Sequence, residues 1–276
     1  MTDTAPVRPA AATPAQAPTA PAASARTRGT ASDPIQAPGT PEAVWRAWPG
    51  WADLPEIPVG PFTRVVVVAA HPDDEVLGFG GTIALLAAAG TRITVAMVTD
   101  GEGSHPDSTV LTADDLVRVR AAETRDALAE LGAAQAAVVP LHVPDTRVGA
   151  HEDRVAARLA ELAEGADLLV APWTGDVHGD HEAAGRAALR AAAATGVPCW
   201  LYPVWMWHWA TPGDSRVPWE RAARIALPPD VRARKRAAAA RFVSQTEPLG
   251  PGPGDAAILP PEELAHHLRE TEVVFR

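Results

Sequence analysis

A doubly wound, Rossmann-like α/β fold is what this sequence predicts, with a mostly parallel sheet, helices on both faces and an irregular Trp/Pro-rich C-terminal extension. Three observations carry that reading. From Arg64 onward, short β-branched runs bounded by Gly, Pro or Asp alternate with Ala-rich helical stretches, the pattern of βαβ units. Val65 to Ala70 is an uninterrupted apolar run suited to a strand buried on both faces. Gly90, Gly132 and Gly196 each stand just past a helical stretch, where a left-handed cap is wanted.

Taken in order, Val65 to Ala70 is the first strand, and Thr82 to Ala89 continues a helix that Gly90 ends. Ile93 to Val98 is the second strand, followed by an amphipathic helix from Leu116 to Leu131 and a third strand at Ala136 to Val139. A helix over Val155 to Ala163 leads to a fourth strand, Asp167 to Ala171, and Glu182 to Ala194 is the next helix. Pro198 to Val204 is the fifth strand. Beyond Trp205 the chain is richer in Pro and Trp, with one clear helix near Val231 to Val243. Residues 1–40 hold 12 Ala and 7 Pro and almost no large apolar side chains, so burial cannot offset the entropy of ordering them. They are expected to be a disordered tail, leaving 41–276 as a single domain.

The chain has 276 residues, 24 basic and 34 acidic, and a formal net charge of −10. It lacks a dense Lys/Arg block, which argues against a grip on nucleic acid. No stretch approaches the roughly 18 to 20 apolar residues of a membrane span, and no secretory signal opens the chain, so a cytoplasmic location is expected. Cys199 is the single cysteine, so a metal here needs nitrogen and oxygen ligands. Lys235 is the only lysine among the 24 basic residues, a skew expected of a GC-rich bacterial genome.

Two motifs follow strands at the sheet edge where open α/β folds bind ligands. The first is His71-Pro72-Asp73-Asp74-Glu75, and the second is His178-Gly179-Asp180-His181. Each has a structural reading, since Pro followed by acids starts a helix well, and Asp180 with Glu182 would do the same. Capping explains the acids but not His71, His178 and His181. Together, three His and three Asp at one edge compose a nitrogen and oxygen metal site, and two His with one carboxylate leave a position open for water.

These residues resemble the PIG-L/LmbE-like metal-dependent N-deacetylases. The resemblance runs from about Arg64 to His181 and takes in Thr99-Asp100-Gly101-Glu102, Arg120-Ala121-Ala122-Glu123 and Asp145. It implies that His71, Asp74 and His181 are the metal ligands, that Asp73 is the general base, and that His178 lies beside the developing oxyanion with Asp180 behind it. It places Arg120, Asp145, Asp100 and Glu102 near the substrate, although an Arg120–Glu123 helical ion pair is an alternative. The activity implied is hydrolysis of an N-acetyl group from an amino sugar or related small conjugate. Zinc is the implied metal, with ferrous iron or another divalent ion as alternatives.

A rival is a non-catalytic sugar- or nucleotide-binding protein, for which Gly78-Phe79-Gly80-Gly81 is the only support; its spacing does not match G-x-G-x-x-G. His105, His142 and His151 read as surface residues, and His266 and His267 as the solvated side of an amphipathic helix. Five of the nine tryptophans lie between Trp200 and Trp219, suited either to core packing or to stacking on a sugar. The basic residues from Arg232 to Arg241 read as a solvated helix face.

Overall fold

The structure is a computed structural model that describes residues 1–2 and 34–276. The expected tail falls mostly outside the described residues. Its last part lies within them, where the Thr40 hydroxyl donates to Ala210 O at 2.6 Å and His208 Nε2 donates to Ala37 O at 2.9 Å.

In chain order the elements that position the site are α1 (Glu42–Arg46), β1 (Arg64–Ala69), α2 (Asp74–Ala88), β2 (Arg92–Met97), α3 (Ala113–Glu130), β3 (Ala137–Pro140), α4 (Glu152–Ala163), β4 (Leu168–Pro172), α5 (Gly179–Thr195) and β5 (Cys199–Tyr202). Then follow α6 (Met206–Trp209), β6 (Ala222–Ala226), α7 (Pro229–Ala239) and β7 (Thr271–Phe275). The strands form one sheet in the order β3-β2-β1-β4-β5-β7-β6. The first five are parallel, with Val65 opposite Ile93 on one side and Leu168 on the other, and β7 pairs antiparallel with both β5 and β6.

Strand side chains alternate between faces, so β1 feeds two cores. Val65 and Val67 pack with α2, α3 and α7, while Val66 and Val68 pack with α4 and α5. The chain runs outward from β1 to β2 and β3, then returns to place β4 on the other side of β1. That reversal opens a crevice beyond the carboxyl ends of β1 and β4, the usual ligand position in such sheets. Both sequence motifs lie there.

The glycines of Gly78-Phe79-Gly80-Gly81 serve packing. They lie inside α2, and a Cβ on Gly78 would sit 2.0 Å from the ring of Tyr202, whose hydroxyl donates to Val68 O at 2.7 Å. Helix and sheet approach closely there because no side chain intervenes. A Cβ on Gly81 would likewise meet Leu227 at 2.5 Å. None of this cradles a phosphate.

Several expectations for the C-terminal region are corrected. Strands β6 and β7 are not foreseen, because Ala-Ala-Arg-Ile-Ala favours a helix by composition and becomes a strand only by pairing with β7. His266 and His267 are not solvated: they lie in a 3₁₀ turn and are 4% and 5% exposed. Lys235 is not on a solvated face either. Its Nζ donates to Leu77 O at 2.8 Å and pairs with Glu272 Oε1 at 2.7 Å, and Glu272 also accepts from the N–H groups of Gly81 and Thr82 and the Thr82 hydroxyl. Arg269 covers the Trp207 ring at 4.2 Å and Trp207 packs edge-on against Trp45 at 5.1 Å, so these aromatics close the core. Among the described residues no helix is long and apolar enough to cross a membrane.

The Lys235–Glu272 pair is buried, and stripping one partner leaves an uncompensated charge. Lys235→Met is expected to lower unfolding free energy by about 3–5 kcal/mol in urea titration. An unchanged midpoint and slope would show that the pair does not tie α2 to β7.

Candidate active site

The first loop begins where β1 ends. His71 N donates to Asp74 Oδ2 at 2.8 Å, folding the chain back so that Asp74 opens α2. Asp73 precedes the helix at φ 136, a conformation an L residue rarely holds. The second loop leaves β4, passes Val177 at φ 68 and enters α5 at Gly179. Among the described residues, the non-glycine positive-φ positions are Asp73, His142, Thr146 and Val177, all in loops at this sheet edge. Strain of this kind costs about 1–3 kcal/mol per residue and persists where surrounding contacts over-determine it.

At the centre, three side chains converge. His71 Nδ1 and His181 Nε2 are 3.2 Å apart, His181 Nε2 is 3.3 Å from Asp74 Oδ1, and His71 Nδ1 is 3.6 Å from Asp74 Oδ2. Ligands of a tetrahedral zinc, bound at about 2.0–2.2 Å, stand roughly 3.3 Å from one another, so these donors fit a divalent ion. His178 closes a further side, its ring 4.8 Å from that of His71 and 4.6 Å from that of His181. One ring nitrogen from each of these three histidines falls within 4.8 Å of the others.

Behind each inward imidazole stands a carboxylate. His71 Nε2 meets Asp145 Oδ1 at 3.1 Å and Asp180 Oδ2 at 3.3 Å, and His181 Nδ1 meets Asp176 Oδ2 at 2.7 Å. Holding the outer nitrogen fixes the ring and aims the inner one, as in carboxylate–histidine–metal arrangements. Asp180 sits behind His71, 3.3 Å from its Nε2, and not behind His178 as the resemblance implies. The reason is local: the N–H groups of Thr146 and Val148 hold its two oxygens at 2.7 and 3.0 Å.

Burial and neighbours set the charges. Burial disfavours charge on His71, but its hydrogen bonds to the carboxylates of Asp145, Asp180 and Asp74 raise its proton affinity well above the usual imidazole value. Burial pushes the Asp73 carboxyl up to about 7, against the pull of the Arg120 guanidinium. Burial, reinforced by His181 and His71, lowers His178 to about 3, so its ring is neutral at pH 7. Asp74 is held below the ordinary carboxylate range; burial opposes this, but the His181 charge and the hydrogen bond from His71 prevail.

Arg120 does not pair with Glu123. It donates from Nη1 to Gly101 O at 3.0 Å and from Nη2 to Pro72 O at 2.5 Å and Asp73 Oδ2 at 3.0 Å, and it is 2% exposed. Glu123 instead accepts from the backbone and hydroxyl of Ser244. Glu102 Oε1 accepts from Asp145 N at 2.9 Å, and Asp145 Oδ2 from Gly103 N at 2.9 Å, so both acids brace the loops. Asp100 reaches the rim, where it pairs with the exposed His142 at 2.8 Å. His105, read as a surface residue, is 4% exposed because the C-terminal loop at Ala256 covers it, with Nε2 donating to Ala256 O at 3.2 Å.

Two residues escape sequence reasoning. Asp176 is fully buried on His181, and its only sequence signal is its place in the same loop as His178. Glu75, at 0% exposure, accepts from Asp73 N at 3.3 Å, and burial pushes its carboxyl up to about 8. Its role as a helix-starting acid hides this in the sequence.

A family model described as PIG-L, GlcNAc-PI de-N-acetylase, matches residues 66–192. A 1D-myo-inositol 2-acetamido-2-deoxy-alpha-D-glucopyranoside deacetylase from Nocardioides sp. is 33% identical over 202 residues, covering 59% of this chain and 66% of the relative. A probable N-acetyl-alpha-D-glucosaminyl L-malate deacetylase 2 from Bacillus cereus is 32% identical over 135 residues, covering 47% of this chain and 61% of the relative. The chain thus spans just under two thirds of these curated relatives. A crystal structure of the zinc inhibited form of teicoplanin deacetylase Orf2 superposes with TM-score 0.57 at 21% identity, covering 77% of this chain and 97% of that one, a likeness of fold. Over residues 66–192, from within β1 to within α5 and including both His/Asp loops, the chain matches the PIG-L family model.

Proposed function

We propose that this protein is a zinc-dependent hydrolase that removes an N-acetyl group from an amino sugar or a related small glycoconjugate. The observation that carries the reading is the convergence of His71 Nδ1, His181 Nε2 and Asp74 within 3.2–3.6 Å, with buried Asp73 beside them. The names of the two curated relatives, both deacetylases of N-acetylated glucosaminyl compounds, support the substrate class.

An amide is a poor electrophile with a poor leaving group, so its hydrolysis needs an activated water, a polarised carbonyl and a proton for the departing amine. A divalent ion held by His71, Asp74 and His181 supplies the first two, by Lewis acidity and by lowering the water pKa from 15.7 toward roughly 7. Asp73 takes the proton from the attacking water and later gives it to the amine nitrogen as the C–N bond breaks, releasing acetate. Asp73 is buried, adjacent in sequence to Asp74, and its Oδ2 is held by Arg120 at 3.0 Å, a fixed carboxylate suited to relaying one proton between the water and the amine. Arg120 holds Asp73 in its strained backbone position. His178, neutral, donates its N–H to the carbonyl oxygen as negative charge develops there. Asp100, at the rim, is placed for sugar hydroxyls.

Asp73→Asn is expected to keep its metal and lose about 10²–10⁴-fold in acetate release from N-acetylglucosaminyl conjugates. Full turnover in that variant contradicts the assignment of the base. Treatment of the untagged protein with a chelator should abolish activity and added zinc restore it, with ferrous iron as a parallel arm. Activity that survives complete metal removal overturns the metal-dependent reading.

A further inference from the structure

The Asp176 carboxylate is saturated in an unusual way. It is 0% exposed and accepts four donors: His181 Nδ1 at 2.7 Å and Trp205 N at 2.9 Å on Oδ2, and Val204 N at 3.1 Å and Met206 N at 2.8 Å on Oδ1. Three of those donors are consecutive backbone N–H groups just past β5, beyond the stretch 66–192 that the family model matches. The fourth is the outer nitrogen of a residue whose inner nitrogen faces Asp74 and His71. The next residue, Val177, is β-branched yet held at φ 68, with its N–H donating to Glu182 Oε1 at 3.1 Å. A β-branched residue does not adopt that backbone without being forced.

A neutral imidazole exists in two tautomers, and only the one protonated at Nδ1 leaves Nε2 free to coordinate a cation. An acceptor-only carboxylate at 2.7 Å from Nδ1 selects that tautomer. Its other lone pairs are committed to backbone donors that do not rotate, so the carboxylate has no freedom to turn away. We infer that Asp176 is a positioning residue: by clamping His181 Nδ1 onto the Val204–Met206 backbone, it fixes which nitrogen of His181 faces the metal and couples metal affinity to the C-terminal segment. The inference rests on the proposed metal-dependent reading and adds to it a dependence on residues outside the family core.

The test uses zinc alone, titrated into the metal-free full-length protein and into Asp176→Asn. An Asn in this place keeps the size of the side chain but has one acceptor oxygen for four donors, and its NH₂ must face either the protonated Nδ1 of His181 or the N–H groups of Val204 and Met206. Zinc affinity is expected to fall 10–100-fold while circular dichroism stays native. Equal affinity in the two proteins overturns the clamp. Failure of wild-type protein to bind zinc overturns the metal reading itself, a separate outcome. Should Asp176→Asn not fold, long-range ¹H–¹⁵N correlation spectra of the zinc-loaded wild-type protein decide the question. A proton on His181 Nδ1 supports the clamp, and a proton on Nε2 or a bare Nδ1 refutes it.

Discussion

Ionisable groups buried at the end of an apolar strand are the constraint on which this structure turns. Val65 to Ala70 is 0% exposed throughout, and it delivers His71, Asp73 and Asp74 into a crevice already holding Asp145, Asp176, Asp180 and His181. Carboxylates in such surroundings are costly unless compensated. Arg120 compensates Asp73, backbone N–H groups compensate Asp145, Asp176 and Asp180, and the amino ends of α2 and α5 point their dipoles at the same place. What these donors leave facing inward is two imidazole nitrogens and the Asp74 carboxylate, a set that a divalent cation satisfies.

The scaffold that enforces this arrangement is stiffer than the site alone requires. Asp73 and Val177 are strained on the two sides of the cluster, and each is followed at once by residues committed elsewhere: Asp74 to His71, and His178 to the start of α5. Close packing behind α2 resists relaxation, since Gly78 lies against Tyr202, and Glu272 and Lys235 hold the helix from the far side. The sheet thus carries strain that would otherwise relax the loops out of register.

Much of the site is legible in the sequence because its chemistry is local. His71 and Asp74 are three residues apart on one turn, and His181 opens a helix after an apolar strand, so spacing and strand order bring them to one edge. The mostly parallel sheet follows from the alternation of strands and helices, but the order of its strands does not. What remains hidden depends on distant partners. Asp176 is one acid among several until Val204, Trp205 and Met206 fold over it, and Glu75 looks like an ordinary helix-starting acid until burial removes its solvent. The same holds for His266, His267 and Lys235, polar residues that composition assigns to a surface but that the pairing of β6 with β7 and the aromatic packing of Trp45, Trp207 and Arg269 enclose.

The central claim is that one divalent ion sits between His71 Nδ1, Asp74 and His181 Nε2. A crystal structure of the zinc-loaded protein, with anomalous scattering recorded at the zinc edge, tests it directly. The account predicts a single strong peak with two imidazole nitrogens and the Asp74 carboxylate at about 2.0–2.2 Å, and Asp145, Asp176 and Asp180 on the outer nitrogens. A peak coordinated instead by His71 Nε2 with Asp145 and Asp180, or no peak at full zinc occupancy in solution, would contradict it.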